Sequence, residues 1–409
     1  MLRAIIIISF FLNKGFDALI RHLNDRHMRE ELPENVRDVY DEEEYANWKN
    51  YKAESRKLYT VWNLADMLFL ALLLVSNAYA WGFKLLEGCN VYVQYFIFTL
   101  VLTALTELVN EPFKYYDTFV IEEKYGLNKS TKKTFFMDNI KNIILGSVIS
   151  FLLIALIMFV FETFGNMAIL IGTVAMMVIM LVLNLIIVPI MRIYNKFTPL
   201  EEGELNNKLL TLCGKYGIRV RKIVVRDASR RTTTSNAFCA GFGKLKTISL
   251  DDNLVNNFTD DEIVAVFAHE FAHAKYKHAL KSLPFSMVRV LLIFVTMWIV
   301  LNVPEFYTAF GFDGINYFFA QMLITLVTWP VSYGLDTVSA YISRKHEYQA
   351  DAFAAKEGYG QNLITSLKRL HKEALSDINP HPLKVLLQYS HPTLSQRITA
   401  IEGVDKGIK

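Results

Sequence analysis

Residues 269–273 of the chain read His269-Glu270-Phe271-Ala272-His273, and this pentapeptide decides how the rest of the sequence is interpreted. Residues four apart lie on one face of a helix, so the imidazoles of His269 and His273 converge as two ligands of one metal ion do. Glu270 lies about 100° round the same helix, where its carboxylate reaches a metal-bound water without ligating the metal. The pattern predicts a zinc site in which Glu270 accepts a proton from water, the chemistry of a metallopeptidase.

The sequence before the motif predicts that it lies inside a helix. Asp260-Asp261-Glu262 is an acidic first turn, and the residues from there to His273 are largely apolar and contain neither Gly nor Pro. The simpler alternative is a helix whose histidines are solvated and bind nothing.

A catalytic zinc needs a third protein ligand and keeps a fourth position open. Glu347 and Asp351 lie four residues apart after a long apolar segment, so they face the same way on a helix. Glu347 is therefore a candidate ligand, and Asp351 a candidate partner that orients a zinc-bound imidazole. An ordinary charged helix is the alternative, and His346 and His391 remain alternative ligands. The three cysteines are isolated, with no C-x-x-C pair: Cys89, Cys213 and Cys239.

The composition indicates a membrane protein. Hydrophobic residues make up 53% of the 409-residue chain and the mean hydropathy is +0.25, both high for a soluble protein. A bilayer crossing needs about 20 apolar residues. A shorter first segment, Ala4 to Leu12 with Phe16 to Ile20, lacks a signal-peptide cleavage site and is interpreted as a membrane helix. With it, seven spans are predicted, the other six around residues 62–83, 93–112, 142–161, 168–191, 285–304 and 315–340.

Basic residues predict which side of the membrane each loop occupies, because cytoplasmic loops accumulate Lys and Arg. The loops after the first and third spans are rich in them: Arg21, Arg26, Arg29, Arg37, Lys49, Lys52, Arg56 and Lys57, then Lys114, Lys124, Lys129, Lys132, Lys133 and Lys141. The intervening loops are nearly bare. Residues 195–283 and the tail after 341 are therefore predicted to be cytosolic, with the N-terminus on the opposite side.

The polar segment ahead of the zinc motif predicts strands. Residues 198–203 read as a linker and 221–226 as a strand, and 235–250 read as strand, turn and strand. An edge strand there would pair with an extended peptide and bring its scissile bond to the metal, whereas the alternative is a purely structural hairpin. Mixed strands followed by the motif helix favour an α+β metallopeptidase domain.

Several motifs in a fixed order resemble the integral-membrane CAAX prenyl endopeptidases, zinc proteases that mature a yeast mating pheromone and prelamin A. The resemblance runs from Pro112 almost to the C-terminus. It rests on these segments: Phe119-Val120-Ile121-Glu122-Glu123-Lys124-Tyr125-Gly126-Leu127-Asn128-Lys129-Ser130-Thr131, Asn195-Lys196-Phe197-Thr198-Pro199-Leu200, Ser235-Asn236-Ala237, His269 to His273, Glu347 to Asp351, and Ser390-His391-Pro392 with Arg397.

The resemblance implies roles for particular residues. Glu347 matches the third zinc ligand, and the strand with Asn236 and Ala237 matches one that holds the peptide. His391 matches a histidine that assists the reacting carbonyl, and Arg397 an arginine that braces the site. The family architecture is seven transmembrane helices around a water-filled chamber, closed on the cytosolic side by the zinc domain.

The expected fold is therefore mainly α: a polytopic membrane protein with seven transmembrane helices enclosing a chamber, plus a cytosolic α+β zincin-like domain. The expected division is residues 1–194 for five membrane helices, 195–283 for the metallopeptidase domain with its motif helix, 284–340 for helices six and seven, and 341–409 for the part that supplies the third ligand.

The expected function is a membrane zinc metalloendopeptidase, with one Zn²⁺ per chain, that cleaves near the C-terminus of CAAX-type prenylated proteins. The alternatives are a bacterial-type quality-control metalloprotease acting on unprenylated or misfolded membrane proteins and a non-enzymatic zinc-regulated transporter. Expected partners are a peptide or prenylated protein and the lipid bilayer, with no nucleic acid. The expected location is the endoplasmic reticulum membrane in a eukaryote or the inner membrane in a bacterium, with a cytosolic active site.

Five histidines are interpreted as ordinary surface residues: His22, His27, His278, His371 and His381.

Overall fold

The N-terminal half of the chain is a series of long helices. A computed structural model describes residues 1–28, 30–217, 222–240 and 247–407. The first six α-helices are α1 (Leu2–His27), α2 (Glu42–Val75), α3 (Ala78–Lys84), α4 (Val91–Tyr116), α5 (Lys132–Phe164) and α6 (Ala168–Met191). Helix α1 runs without interruption through the Lys14-Gly15 step that divides its apolar sequence.

Five helical stretches in the described part of the chain are long and apolar enough to cross a membrane. They are Glu42–Val75, Val91–Glu122, Lys132–Leu183, Leu283–Leu301 and Tyr317–Glu373. The third comprises α5 and most of α6, which a short turn at Gly165–Met167 separates. The prediction of a mainly helical polytopic membrane protein is confirmed, whereas the count of seven crossings and the enclosed chamber stay predictions.

A four-stranded sheet is formed by residues that follow the first three membrane-capable stretches in the sequence and precede the last two. Its strands are β1 (Phe197–Pro199), β2 (Lys222–Arg226), β3 (Ala237–Ala240) and β4 (Thr247–Asp251), in the order β1-β2-β4-β3. Strands β3 and β4 are antiparallel, as the predicted hairpin requires; its turn, residues 241–246, falls outside the described residues. The interpretation of residues 198–203 as a linker is partly wrong, because Phe197–Pro199 pairs with β2 before the chain turns into the next helix.

The rest of the chain is again helical. Its α-helices are α7 (Glu204–Lys215), α8 (Asp252–Asn257), α9 (Asp260–Lys275), α10 (His278–Lys281), α11 (Leu283–Leu301), α12 (Glu305–Thr308), α13 (Tyr317–Ala354), α14 (Gly360–Glu373), α15 (Pro382–Gln388) and α16 (Leu394–Asp405). Helix α9 begins with a capping box, in which the Thr259 backbone N–H donates to the Glu262 carboxylate at 2.8 Å. This cap fixes the start of the helix that carries the zinc motif.

Two separate apolar cores stabilise the molecule. One is formed by membrane-capable helices, and the other surrounds α9, where Phe267 and Phe271 are fully buried. Val36 and Trp48, which precede the first long apolar stretch, belong to the second core, and the Trp48 indole N–H donates to the Ser376 carbonyl at 2.8 Å. The basic segment that follows α1 is thus part of the packed domain around α9. The predicted domain limits stay predictions.

Candidate metal centre

Helices α9 and α13 pack against each other and bring three potential metal ligands to one point. His269 and His273 extend from α9, and Glu347 from α13, with ligand atoms that all lie within 4.8 Å of one another. The two Nε2 atoms are 3.2 Å apart, and each lies 3.3 Å from one of the Glu347 carboxylate oxygens. The 38-residue length of α13 permits this, because it continues from an apolar segment into the domain around α9.

The spacing fits a tetrahedral zinc ion. Ligands about 2.0–2.1 Å from a tetrahedral zinc lie about 3.3 Å from one another, close to the 3.2 Å between the two nitrogens and the 3.3 Å from each nitrogen to one Glu347 oxygen. The Glu347 Oε2 atom is buried and has no hydrogen-bond partner. An orphaned buried carboxylate oxygen is costly unless a cation lies beside it. Two imidazoles and a carboxylate are also the donor set of a known class of catalytic zinc site.

Asp351 and Arg397 contact His269 at Nδ1, the ring nitrogen that faces away from the other potential ligands. The Nδ1 of His269 lies 2.9 Å from an Asp351 carboxylate oxygen, and Arg397 donates to both oxygens of that carboxylate at 2.6 and 2.8 Å. Burial alone would lower the pKa of His269, but the adjacent carboxylates of Asp351 and Glu347 outweigh it and raise the pKa to about 9. The pocket therefore draws either a proton or a metal cation to this imidazole.

Glu270 lies between the two histidines on α9 and is partly exposed. Burial is the main influence on its carboxylate and raises the pKa above the ordinary value of a glutamate. A raised pKa suits a base that must exchange a proton close to neutral pH.

His391 lies beside the same group from the segment that joins α15 and α16. Its Nε2 is 3.5 Å from Glu347 Oε1, and its side chain is 62% exposed. The Ser390 hydroxyl lies 2.9 Å from the His391 Nδ1. When that hydroxyl donates to Nδ1, the ring proton lies on Nε2, the atom that faces the metal group. His346, the other alternative ligand, lies outside the group and stacks on His278 with ring centroids 4.1 Å apart.

The interpretation of His278 as a surface histidine is wrong. It is 4% exposed, and its Nδ1 lies 2.9 Å from the Nδ1 of His273. Its Nε2 lies 3.1 Å from Gln349 Oε1, which can only accept, so the His278 ring proton lies on Nε2 and its Nδ1 accepts from His273. Burial lowers the pKa of His278 to about 4, which keeps the ring neutral. Two features of the sequence could have indicated this contact: His278 lies five residues after the motif, and the polar residue Gln349 lies two residues after Glu347.

The strand expected to hold the peptide forms one edge of the sheet. Strand β3 pairs with β4 on one side only and packs on α9. Asn236 is exposed, and its side-chain oxygen accepts from the Ala237 N–H at 2.8 Å. The Asn236 carbonyl accepts from Asp251 on β4 at 2.9 Å, so the Ala237 N–H points to the open edge. A peptide that pairs there must take the place of the Asn236 amide.

Comparison with known proteins decides the family. Residues 21–196 match the family described as CAAX prenyl protease N-terminal, five membrane helices, and residues 199–405 match peptidase family M48. The chain belongs to peptidase family M48. CAAX prenyl protease 1 of Saccharomyces cerevisiae is 33% identical over 96% of this chain and 93% of the yeast protein. An Arabidopsis thaliana homologue is 32% identical over 92% of this chain and 91% of its own.

The fold of this M48 peptidase agrees with a solved relative. The crystal structure of S. mikatae Ste24p superposes with a TM-score of 0.91 at 30% identity, covering 98% of this chain and 99% of that one. The resemblance predicted from the motifs is therefore confirmed, as is the class of membrane metallopeptidase.

Proposed function

We propose that this M48 peptidase is a zinc metalloendopeptidase that cleaves CAAX-type prenylated proteins near their C-terminus. The observation that carries the proposal is the His269, His273 and Glu347 group, spaced for one tetrahedral ion, in a chain that matches CAAX prenyl protease 1 over almost its whole length. Both halves of such an enzyme are present, since the N-terminal family match precedes the M48 match without a gap of more than a few residues.

Each residue of the centre then has one task. His269, His273 and Glu347 would hold the zinc ion, which would supply Lewis acidity at the scissile carbonyl and lower the pKa of the attacking water. Glu270 accepts the proton of the attacking water and delivers it to the departing amine. His391 donates from Nε2 to the carbonyl oxygen as negative charge develops there. Asp351 and Arg397 fix the ring of His269, and β3 with Asn236 and Ala237 aligns the peptide backbone.

The proposed placement puts the metal centre on the cytosolic side, where prenylated C-termini are made. Its support is the alternation of basic and bare loops and the packing of Val36 and Trp48, from a basic loop, into the same core as α9. Seven crossings around a chamber follow if α1 and both halves of Lys132–Leu183 cross the bilayer. Since the compared relatives come from a yeast and a plant, we propose the endoplasmic reticulum membrane.

The decisive experiment compares a farnesylated CAAX peptide with its unprenylated twin, using purified full-length protein and the Glu270→Gln variant as the matched control. Cleavage that needs Glu270 and strongly favours the farnesylated peptide is expected. Equal cleavage of both peptides would favour the quality-control protease instead. No cleavage of either by a zinc-loaded preparation would contradict the peptidase assignment.

A further inference from the structure

A cavity between α1 and α2 carries more positive charge than its own walls neutralise. It has a volume of about 770 Å³ and is lined by α1, α2, the segment between α14 and α15, and α15 itself. It is separate from the metal centre, since none of the ligands or their supporting residues lines it. Its basic residues are Lys14, Arg21, His22, Lys52, Arg56 and Lys384.

Four of these cations have no carboxylate partner. Lys14 pairs with Asp66 at 3.1 Å, but in the described part of the chain no carboxylate oxygen lies within 4.0 Å of Arg21, Lys52, Arg56 or Lys384. Lys52, Arg56 and Lys384 are partly buried. Partly desolvated cations without counter-charges repel one another, so an anion between them lowers the free energy of the site.

Three carboxylates line the same cavity: Asp17, Asp25 and Asp377. Asp17 accepts from the Tyr333 hydroxyl, and Asp377 accepts from the Asn24 amide at 2.8 Å and from the Asn379 N–H at 3.2 Å, so neutral donors hold both in place. The four cations without an ion-pair partner therefore outnumber the three carboxylates of the lining.

The part of the cavity wall formed by α2 changes from basic to apolar along the helix. Lys52 and Arg56 are followed on the same helix face by Thr60, then by Leu64 and Met67, which also line the cavity. All four charged and apolar positions of α2 lie within the stretch Glu42–Val75, the cations towards its end predicted to be cytosolic and the apolar residues further along it. Leu64 is 50% exposed, so the apolar part communicates with the protein surface.

We propose that this cavity binds the phosphate headgroup of an anionic phospholipid from the cytosolic leaflet. Arg21, Lys52, Arg56 and Lys384 contact the phosphate, and an acyl chain lies along Leu64 and Met67. Guanidinium groups match phosphate oxygens geometrically, and cytosolic leaflets are rich in anionic lipids. Free phosphate shares the headgroup chemistry but would leave the apolar wall uncovered.

The test measures lipid retention and does not depend on peptidase activity. Full-length protein is reconstituted in phosphatidylcholine vesicles with or without phosphatidic acid, re-extracted in detergent, and its bound lipid counted by native mass spectrometry. Arg56→Gln and the Arg21→Gln/Arg56→Gln pair are compared with Lys57→Gln, an exposed neighbour that does not line the cavity. We expect retention of phosphatidic acid to fall about fivefold for each cation removed and to be unchanged in Lys57→Gln.

Thermal unfolding distinguishes the sources of phosphate. Phosphatidic acid should raise the midpoint of the wild type and of Lys57→Gln, but not that of the paired variant, whose midpoint in phosphatidylcholine alone shows that it is folded. Inorganic phosphate that stabilises as well as the lipid would overturn the lipid assignment. Equal retention by the paired variant and Lys57→Gln would overturn the site. A raised KM for peptide with unchanged lipid retention would assign the cations to a substrate carboxylate and also overturn it.

Discussion

Glu270 and Glu347 both lie at the candidate metal centre, and their positions fit the different tasks proposed for them. Glu347 has an oxygen that is buried and unpartnered 3.3 Å from a histidine nitrogen, as a ligand requires. Glu270 lies between the two histidines on α9 and stays partly exposed, as a base that meets water requires. The geometry thus supports the proposal that one glutamate binds the metal and the other transfers a proton.

The Glu270→Gln variant should keep its metal and lose activity. The amide preserves the size of the side chain but cannot accept the proton, so turnover is expected to fall at least about 10²-fold. Metal analysis and peptide turnover on one preparation check this. A variant that cleaves at the wild-type rate would remove Glu270 from the mechanism.

The Glu347→Ala variant should lose zinc far more severely than His346→Ala. Adjacent residues of a helix cannot both face the metal, and the His346 ring instead stacks on His278. Zinc content after dialysis against a weak chelator measures the difference. An emptied site in His346→Ala with zinc retained in Glu347→Ala would show that the third ligand is assigned wrongly.

His278 is a positioning residue, and its removal should weaken metal binding without removing a ligand. The accepting Nδ1 of His278 holds the ring proton of His273 on the far side from the metal, so His278→Ala is expected to lower zinc affinity about 10–100-fold. Competition with a fluorescent chelator reports this independently of turnover. His22→Ala, at an exposed position, is the control. Equal zinc affinity in the two variants would contradict the role.

At the scale of elements, the edge strand β3 is the part of the centre expected to pair with the substrate. Its open edge presents the Ala237 N–H, which donates to the side-chain oxygen of Asn236, the residue just before the strand. A side-chain amide is easily exchanged for a peptide carbonyl, so the strand can accept an extended substrate through main-chain hydrogen bonds. Specificity for a particular sequence then arises elsewhere.

Replacing Ala237 with Pro should raise KM, because the ring removes the outward N–H donor and obstructs pairing. His391→Ala should instead lower kcat, since a donor to the developing oxyanion acts mainly in the transition state. Steady-state kinetics with zinc content as the control separates the two variants. If Ala237→Pro leaves both constants unchanged, β3 has only a structural role.

At the scale of the whole molecule, α13 connects the membrane region to the metal centre. The same 38-residue helix contains the apolar sequence near Tyr317 and the ligand Glu347. The position of the third ligand therefore depends on how the membrane helices hold α13.

Topology can be tested by labelling single cysteines after Cys89, an exposed thiol, has been replaced. Cysteines placed next to the exposed residues Lys49, Lys133 and Lys215 should react only from the cytosolic side, and one next to Asp313 only from the opposite side. Opposite-side labelling near Lys215 would move the metal domain across the membrane and exclude cytosolic substrates.

The sequence by itself determined the family, the membrane class and the two histidines of the motif. Those features are local: the spacing of His269 and His273 on one helix and the length of apolar segments follow from backbone geometry alone. The ordered motifs added the expectation that Glu347 and His391 belong to the same site, 78 and 122 residues beyond His269. The roles assigned to these residues stay predictions.

Only the tertiary structure decided how the centre is supported. His278 looks like a surface residue in the sequence because nothing local shows that α10 turns back and places its ring between His273 and Gln349. The cations Arg21, Arg56 and Lys384 share one cavity although the chain separates them by up to 363 residues. Contacts between distant segments depend on how helices pack, and residue patterns within one helix carry no record of its neighbour.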